Sequence, residues 1–328
     1  MIGRHSPSVL GQICRKWREI AFGTPELWRG ITLCLTNRKR LDQKLRLLQI
    51  WLQRSGSCPL SINMDLGDRI DHGVVDLFTQ AIAAYSVRWE HLRLYSIFHP
   101  FPSIKAPLPS LRSLSMGTIK PLVEGAPSTE SLISALHAAP LLRNVAIAFW
   151  GEHSIISLYP WSQLTAFTAH PILPHYCLDI LAQAVNLVTC NVYICRADEI
   201  ARTSIARDVA LPQLSTLILR GYISDTMSWK FLDCLTLPAL QKLEVAETLL
   251  QDDPVGLLES LIARSRCSLL ELHLPHRRLA PESYRLALPT VGSVIDGELD
   301  VGSVFFVPDD EENFTWQCYH RSWANIDL

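Results

Sequence analysis

A short apolar pattern that returns along the chain constrains its fold more than any other feature. It consists of an apolar residue, two variable positions, a second apolar residue, one variable position and a third apolar residue. Copies begin at Trp89, Leu92, Leu94, then Leu111, Leu114, Met116, then Leu142, Val145, Ile147, then Leu164, Phe167, Ala169. They continue at Leu187, Cys190, Val192, then Leu214, Leu217, Leu219, then Leu240, Leu243, Val245, then Leu269, Leu272, Leu274. Successive first positions are 22, 31, 22, 23, 27, 26 and 29 residues apart. In each copy the last two apolar residues are two apart, the strand spacing that puts both side chains on one face. Pro109, Pro212 and Pro238 introduce three of the copies.

Segments of helical spacing lie between the copies. Leu41, Leu45, Leu48 and Leu52 form one stripe that Gly56 is placed to stop. Val74, Phe78, Ile82 and Tyr85 form a second. Ser128 is the expected cap of a shorter helix through Leu132, Ile133 and Leu136, and Asp253 with Pro254 opens another through Leu257, Leu258, Leu261 and Ile262. Strand alternating with helix at this period predicts an α/β fold: an irregular leucine-rich-repeat-like solenoid with parallel strands, each repeat burying its apolar face only by stacking on the next. A doubly wound sheet would also alternate strand and helix. It calls for a glycine-rich phosphate loop after an early strand, and neither GxGxxG nor GxxxxGK[ST] occurs.

The first forty residues follow a different logic. Val9, Ile13, Trp17 and Ile20 recur at helical spacing opposite Arg15, Lys16, Arg18 and Glu19, which predicts an amphipathic helix with both Trp17 and Trp28 on its buried side. Thr24 and Pro25 read as a second helix start, with Leu27, Trp28 and Ile31 as apolar anchors. Such a hairpin has too little core to stand alone and should dock on a neighbour.

The run VLGQICRKWREIAFGTPELW, carried by Cys14, Arg15, Trp17, Arg18, Ile20 and by Thr24, Pro25, Glu26, Leu27, Trp28, resembles the second half of the F-box-like domain of fungal F-box/leucine-rich-repeat proteins. The run from Trp51 to Leu60, WLQRSGSCPL, is similar to the segment that follows that domain. The resemblance covers about a tenth of the chain. It implies an adaptor in which the F-box helices bind a Skp-type linker and, through it, the cullin scaffold of a ubiquitin ligase, while the repeats select an unknown substrate protein. Val9, Ile13, Cys14, Trp17, Ile20, Pro25, Leu27 and Trp28 are then the residues for linker binding or for packing of the F-box remnant. The sequence starts after the point where that family's Leu-Pro-containing first helix ends, which predicts either a fragment or mis-started reading frame, or a chain that has lost linker binding. The expected organisation is a partial F-box-like helical segment at 1–36, the repeat domain at 37–290 and a C-terminal cap or acidic tail at 291–328.

Charge and cysteine usage narrow the class. The net charge is −2, but residues 1–57 carry eleven Lys/Arg against three Asp/Glu, and residues 295–328 carry eight acids against one Arg. Arg38, Lys39 and Arg40 are too short a basic run for a nucleic-acid patch, so no nucleic acid is expected. Nine Cys with no paired spacing beyond Cys190 and Cys195, and an N-terminus without an apolar signal core, predict free thiols in a cytoplasmic or nuclear protein. The longest stretch free of charge, 153–178, is broken by Pro160, Pro171 and Pro174, so no membrane span is expected.

Chemistry-bearing constellations are sparse, and the reading is of a protein that is not an enzyme and takes no cofactor or metal. His273 and His276 flank a strand end instead of sharing a helix face. His170, His175 and Cys177 surround Pro171 and Pro174, where a Cys–His dyad is one conceivable arrangement, and an enzyme of unrecognised type is a minor alternative reading. A repeat scaffold with no ubiquitin connection is the other alternative to the adaptor. On the strands, residues flanking the inward apolar pairs should form a concave partner-binding face: His91, Arg93, Tyr95, Asn144, Tyr193, Arg220, Lys242, Glu244, Glu271 and His273. Their mixed charges and aromatics suit a protein partner better than a polyanion.

Overall fold

The computed structural model describes residues 7–35, 40–66, 71–95, 107–118, 127–149, 157–194, 208–221, 231–250, 253–275 and 279–299. The stretch Val301–Val307, read as a closing strand of the C-terminal cap, the acidic run Asp309–Glu312 and the tryptophans Trp316 and Trp323 lie outside them, as do Asp252, His276, Arg38 and Lys39. The chain divides into two compact units, Met1–Pro160 and Trp161–Leu328.

The first unit opens with two short helices, α1 (Pro7–Ile13) and α2 (Arg15–Gly23), and a single 3-10 turn at Pro25–Trp28. Then follow β1 (Gly30–Cys34), α3 (Leu41–Arg54), β2 (Leu60–Asp65), α4 (His72–Ala83), β3 (Trp89–Tyr95), β4 (Ser113–Thr118), α5 (Pro127–His137) and β5 (Asn144–Phe149). The five strands pair in parallel and in chain order. The second unit runs β6 (Ala166–Ile172), α6 (Pro174–Leu181), β7 (Thr189–Ile194), β8 (Val209–Ala210), β9 (Thr216–Gly221), β10 (Leu235–Thr236), β11 (Lys242–Val245), α7 (Pro254–Ser265), β12 (Glu271–His273), α8 (Pro281–Ala287) and β13 (Ser293–Ile295). Its main strands pair in parallel in the order β6-β7-β9-β11-β12-β13, and β8 with β10 forms a separate parallel pair. Within neither unit does the strand order reverse, as it does in a doubly wound sheet.

The apolar repeat sets both burial and register. All three apolar positions of every copy are buried. Neighbouring copies align residue for residue: Leu92 with Leu114 and Val145 in the first unit, Cys190 with Leu217, Leu243 and Leu272 in the second. Shifting one strand by one residue would turn its whole apolar set away from the core, so burial locks the pairing. Two further strands belong to the same sheet. Trp28, Ile31 and Leu33 have the repeat spacing and are buried, and β1 pairs with β2, where Leu60, Ile62 and Met64 are buried. The sheet of the first unit thus begins inside the segment 1–36 expected as a partial F-box-like helical segment.

Helix ends follow local chemistry. Asp71 and Asp253 accept hydrogen bonds from the amides of Gly73 and Gly256 at 2.8 and 2.9 Å, capping α4 and α7. Helix α3 ends at Arg54, and Gly56 takes φ +54° just past it. Helix α5 starts at Pro127, which places Ser128 inside the first turn instead of at the cap. The Thr24 hydroxyl donates to the Ile20 carbonyl at 2.7 Å and so closes α2, where a cap for a second helix was expected.

One glycine is required by close approach. Gly221 pairs with Ile194, and a Cβ built on it would lie 2.3 Å from the Ile194 carbonyl oxygen. That oxygen is backbone and cannot swing aside. Gly221→Ala is expected to cost about 1–3 kcal/mol, read as a lower denaturant midpoint, and an unchanged midpoint would refute the close contact.

Candidate functional site

Two surfaces carry the residues singled out by the sequence. The first is the helical hairpin. The expected continuous helix breaks at Cys14, whose backbone is extended (φ −157°, ψ 174°), so the residues on either side of it no longer share one face. As a result the side chains expected to pack inward are outside. Ile13 is 60% exposed, Trp17 and Ile20 are each 46% exposed, and Leu27 is 39% exposed. Cys14 is also exposed, while Val9 and Pro25 are half-buried. Trp28 alone of the two tryptophans meets the expectation of burial, at 1% exposure.

Trp28 is the bolt that holds the hairpin. Its indole Nε1–H donates to the Ala21 carbonyl at 2.7 Å, and its ring meets Trp51 of α3 edge-on at 4.9 Å. The Arg54 guanidinium lies 3.6 Å over the Phe22 ring and 4.6 Å from the Trp28 ring. Arg18 ties α2 to α1 through the Gly11 carbonyl at 2.7 Å. The run following Arg54 is held in turn. The buried Ser55 hydroxyl donates to the Leu52 carbonyl at 2.7 Å and accepts from Arg88 Nη2 at 2.6 Å, while Arg88 Nε donates to the Cys58 carbonyl at 2.9 Å. The WLQRSGSCPL segment is therefore the seat on which the hairpin docks.

The second surface is the non-core face of the strands. In the first unit His91, Arg93 and Tyr95 are half-buried and Asn144 is exposed. The Arg93 guanidinium lies 4.7 Å from the Tyr95 ring centre, and the Tyr95 hydroxyl is 3.5 Å from Ser115 Oγ. Burial pushes the Tyr95 phenol up and the His91 imidazole down, so both favour their neutral forms. These groups form a neutral aromatic floor with one guanidinium laid along it.

In the second unit the same face is more charged and more covered. Arg220 holds the Glu244 carboxylate with both Nε and Nη2, the latter at 3.2 Å from Oε2. Arg220 also meets Glu298 at 3.2 Å, and Lys242 meets Glu271 at 2.8 Å, which holds the Glu271 carboxyl below its ordinary value. Glu244 is fully buried and His273 is 6% exposed, with its Nε2 3.4 Å from Glu271 Oε2. Glu244 and His273, expected on the partner-binding face, are thus both buried in this arrangement. The chain after β13 turns back so that the Leu299 amide donates to Glu244 and occupies its carboxylate.

Beside this pair the His170 ring stacks on Tyr193, centroids 6.0 Å apart, and is 5% exposed. Burial, with the Arg220 charge facing it and the Asn191 side chain opposing both, pushes its pKa down to about 4. An unfolded histidine titrates near 6.5, so the folded chain resists a proton that the unfolded chain accepts. The stability this contributes is full above the unfolded value and is lost as pH falls from 6.5 towards 4. The loss should reach roughly 3 kcal/mol. Urea titrations at several pH values should show it, and His170→Gln should flatten that part of the slope. An unchanged slope in the variant would refute the assignment.

A Cys–His dyad is not assembled between His175 and Cys177. His175 and Cys177 both lie on α6, two residues apart, a spacing that does not let side chains face each other. The Cys177 thiol is fully buried, and burial, with Cys190 beside it, pushes its pKa well up, away from the thiolate a nucleophile needs. Among the described residues no group of three His, Cys, Asp or Glu is placed to hold a metal ion. No described helix is long and apolar enough to cross a membrane.

Compared with known protein families and with curated proteins, the chain matches none.

Proposed function

We propose that the chain is a protein-interaction adaptor: an irregular leucine-rich-repeat-like solenoid whose strand face selects a substrate protein, with an F-box remnant that docks a Skp-type linker and its cullin scaffold. The observation that carries this reading is the one-sided packing of the hairpin. Trp28 and Ala21 anchor it from below, while Ile13, Trp17, Ile20 and Leu27 stay exposed. Large apolar side chains held outward on a rigidly seated element are what a partner surface requires. The resemblance of this same run to the F-box-like domain supplies the chemistry of the partner. Parallel strands in chain order, with apolar positions aligned between neighbours, support the repeat reading of the rest.

The test is capture of a purified Skp-type linker by this chain and by a version extended into the upstream reading frame. Capture by either form supports the adaptor, and Trp17→Glu with Ile20→Glu should abolish it without lowering stability, since both side chains are already half in water. If neither form binds, the ligase connection falls and a repeat scaffold becomes the working account.

A further inference from the structure

The segment Asp296–Leu299 touches the second unit's strand face as a ligand would. After β13 the chain does not run on past the sheet edge. It returns to β11, two strands back, where the Leu299 amide donates to Glu244 and Glu298 pairs with Arg220. Leu299 is 9% exposed, whereas Glu298 remains 58% exposed at its side chain. One acidic side chain and the amide that follows it therefore meet two distinct features of the face, a guanidinium and a buried carboxylate, and the aliphatic side chain of Leu299 is nearly buried beside them.

We infer that this face is a peptide-binding site for an acidic residue followed by a large aliphatic one, and that Glu298 and Leu299 occupy it in cis. This deepens the proposal that the strand face selects the substrate, and it rests on that reading. The division of labour follows from the geometry. Glu244 is oriented by two bonds from Arg220, so its remaining acceptor capacity points at one backbone amide. That contact is blind to sequence. Arg220 spends its Nε–H and one Nη2–H on Glu244, and the same Nη2 meets Glu298, so an incoming carboxylate finds guanidinium donors beside the buried pair, which sets the preference for an acidic side chain. Because the internal pair is tethered, it competes at an effective concentration of about millimolar, and an external peptide must displace it.

The probe is a labelled, end-blocked peptide of the chain's own residues 295–302, measured by fluorescence anisotropy. A chain ending at Ile295 should bind it roughly tenfold or more tighter than the full chain does. Peptides carrying Glu298→Ala or Leu299→Pro, which remove the carboxylate and the amide donor, should lose most of that binding. A truncated chain that unfolds cooperatively yet ignores the peptide overturns the inference, as does equal binding of the altered peptides. Should truncation unfold the chain, Leu299→Pro in the full chain replaces it: peptide binding should rise, and no rise overturns the inference. Linker capture reads the helical hairpin and not this face, so the two proposals can fail separately.

Discussion

Arg220→Ala is expected to destabilise the second unit by about 3–5 kcal/mol, although the Arg220 side chain is 21% exposed. The cause is what the substitution leaves behind. Glu244 is fully buried, and its carboxyl group is held by the two guanidinium bonds and the Leu299 amide. Without Arg220 the carboxylate stays inside with one partner. The reverse deletion should cost less, because the Arg220 side chain is 21% exposed and keeps Glu298 and water. Replacing both at once by Met and Leu should recover most of the loss, since a well-packed apolar pair avoids desolvating two charges. Urea denaturation of the two single variants and the double variant closes the cycle. An Arg220→Ala chain within 1 kcal/mol of the parent, or single effects that simply add, would sink the account.

The repeat was legible because burial and register are both encoded in one spacing. Six of the eight copies supply a residue before the strand and two on it, Trp89 already lies on β3 and Leu274 just follows β12, and all of these residues are buried in the structure. The strands missed by that reading show why it ran out. Trp28, Ile31 and Leu33 carry the spacing in full, but the same tryptophan also reads as a helix anchor, and a short segment cannot say which partner it will meet. Leu60, Ile62 and Met64 lack an apolar residue at the first position, because Pro59 stands there exposed. The strand face was harder still. Alternation tells which residues leave the core side, but not what returns to cover them. Glu244 is covered by Leu299, fifty-five residues later in the chain, and nothing local to either announces it.

The hairpin departs from its periodicity for a related reason. A stripe at Val9, Ile13, Trp17 and Ile20 implies one straight helix, and periodicity is blind to a single extended residue at Cys14. That break decides which of the apolar residues anchor the hairpin and which stay free for a partner. It also separates the two tryptophans of the segment, alike in sequence, into opposite roles.

Trp28→Ala is accordingly expected to cost about 3–5 kcal/mol, while Trp17→Ala should leave stability within about 0.5 kcal/mol of the parent. Trp28 loses an edge-on contact with Trp51, a hydrogen bond to Ala21, and its share of the Arg54 stack over Phe22. The loss is not spread evenly. Helices α1 and α2 reach the rest of the first unit through Trp28 and the Phe22–Arg54 contact, whereas β2 to β5 are held by their own buried apolar ladder. Amide exchange should therefore accelerate across residues 7–23 well before it does in β3 and β4. Linker capture should fall with it, because the exposed residues lose their rigid mount though none of them has changed. Trp17→Ala should do the opposite, lowering capture while exchange in the hairpin stays slow. If Trp28→Ala leaves the hairpin protected, Trp28 is not its anchor. If Trp17→Ala captures the linker as well as the parent does, the exposed surface is not where the linker docks.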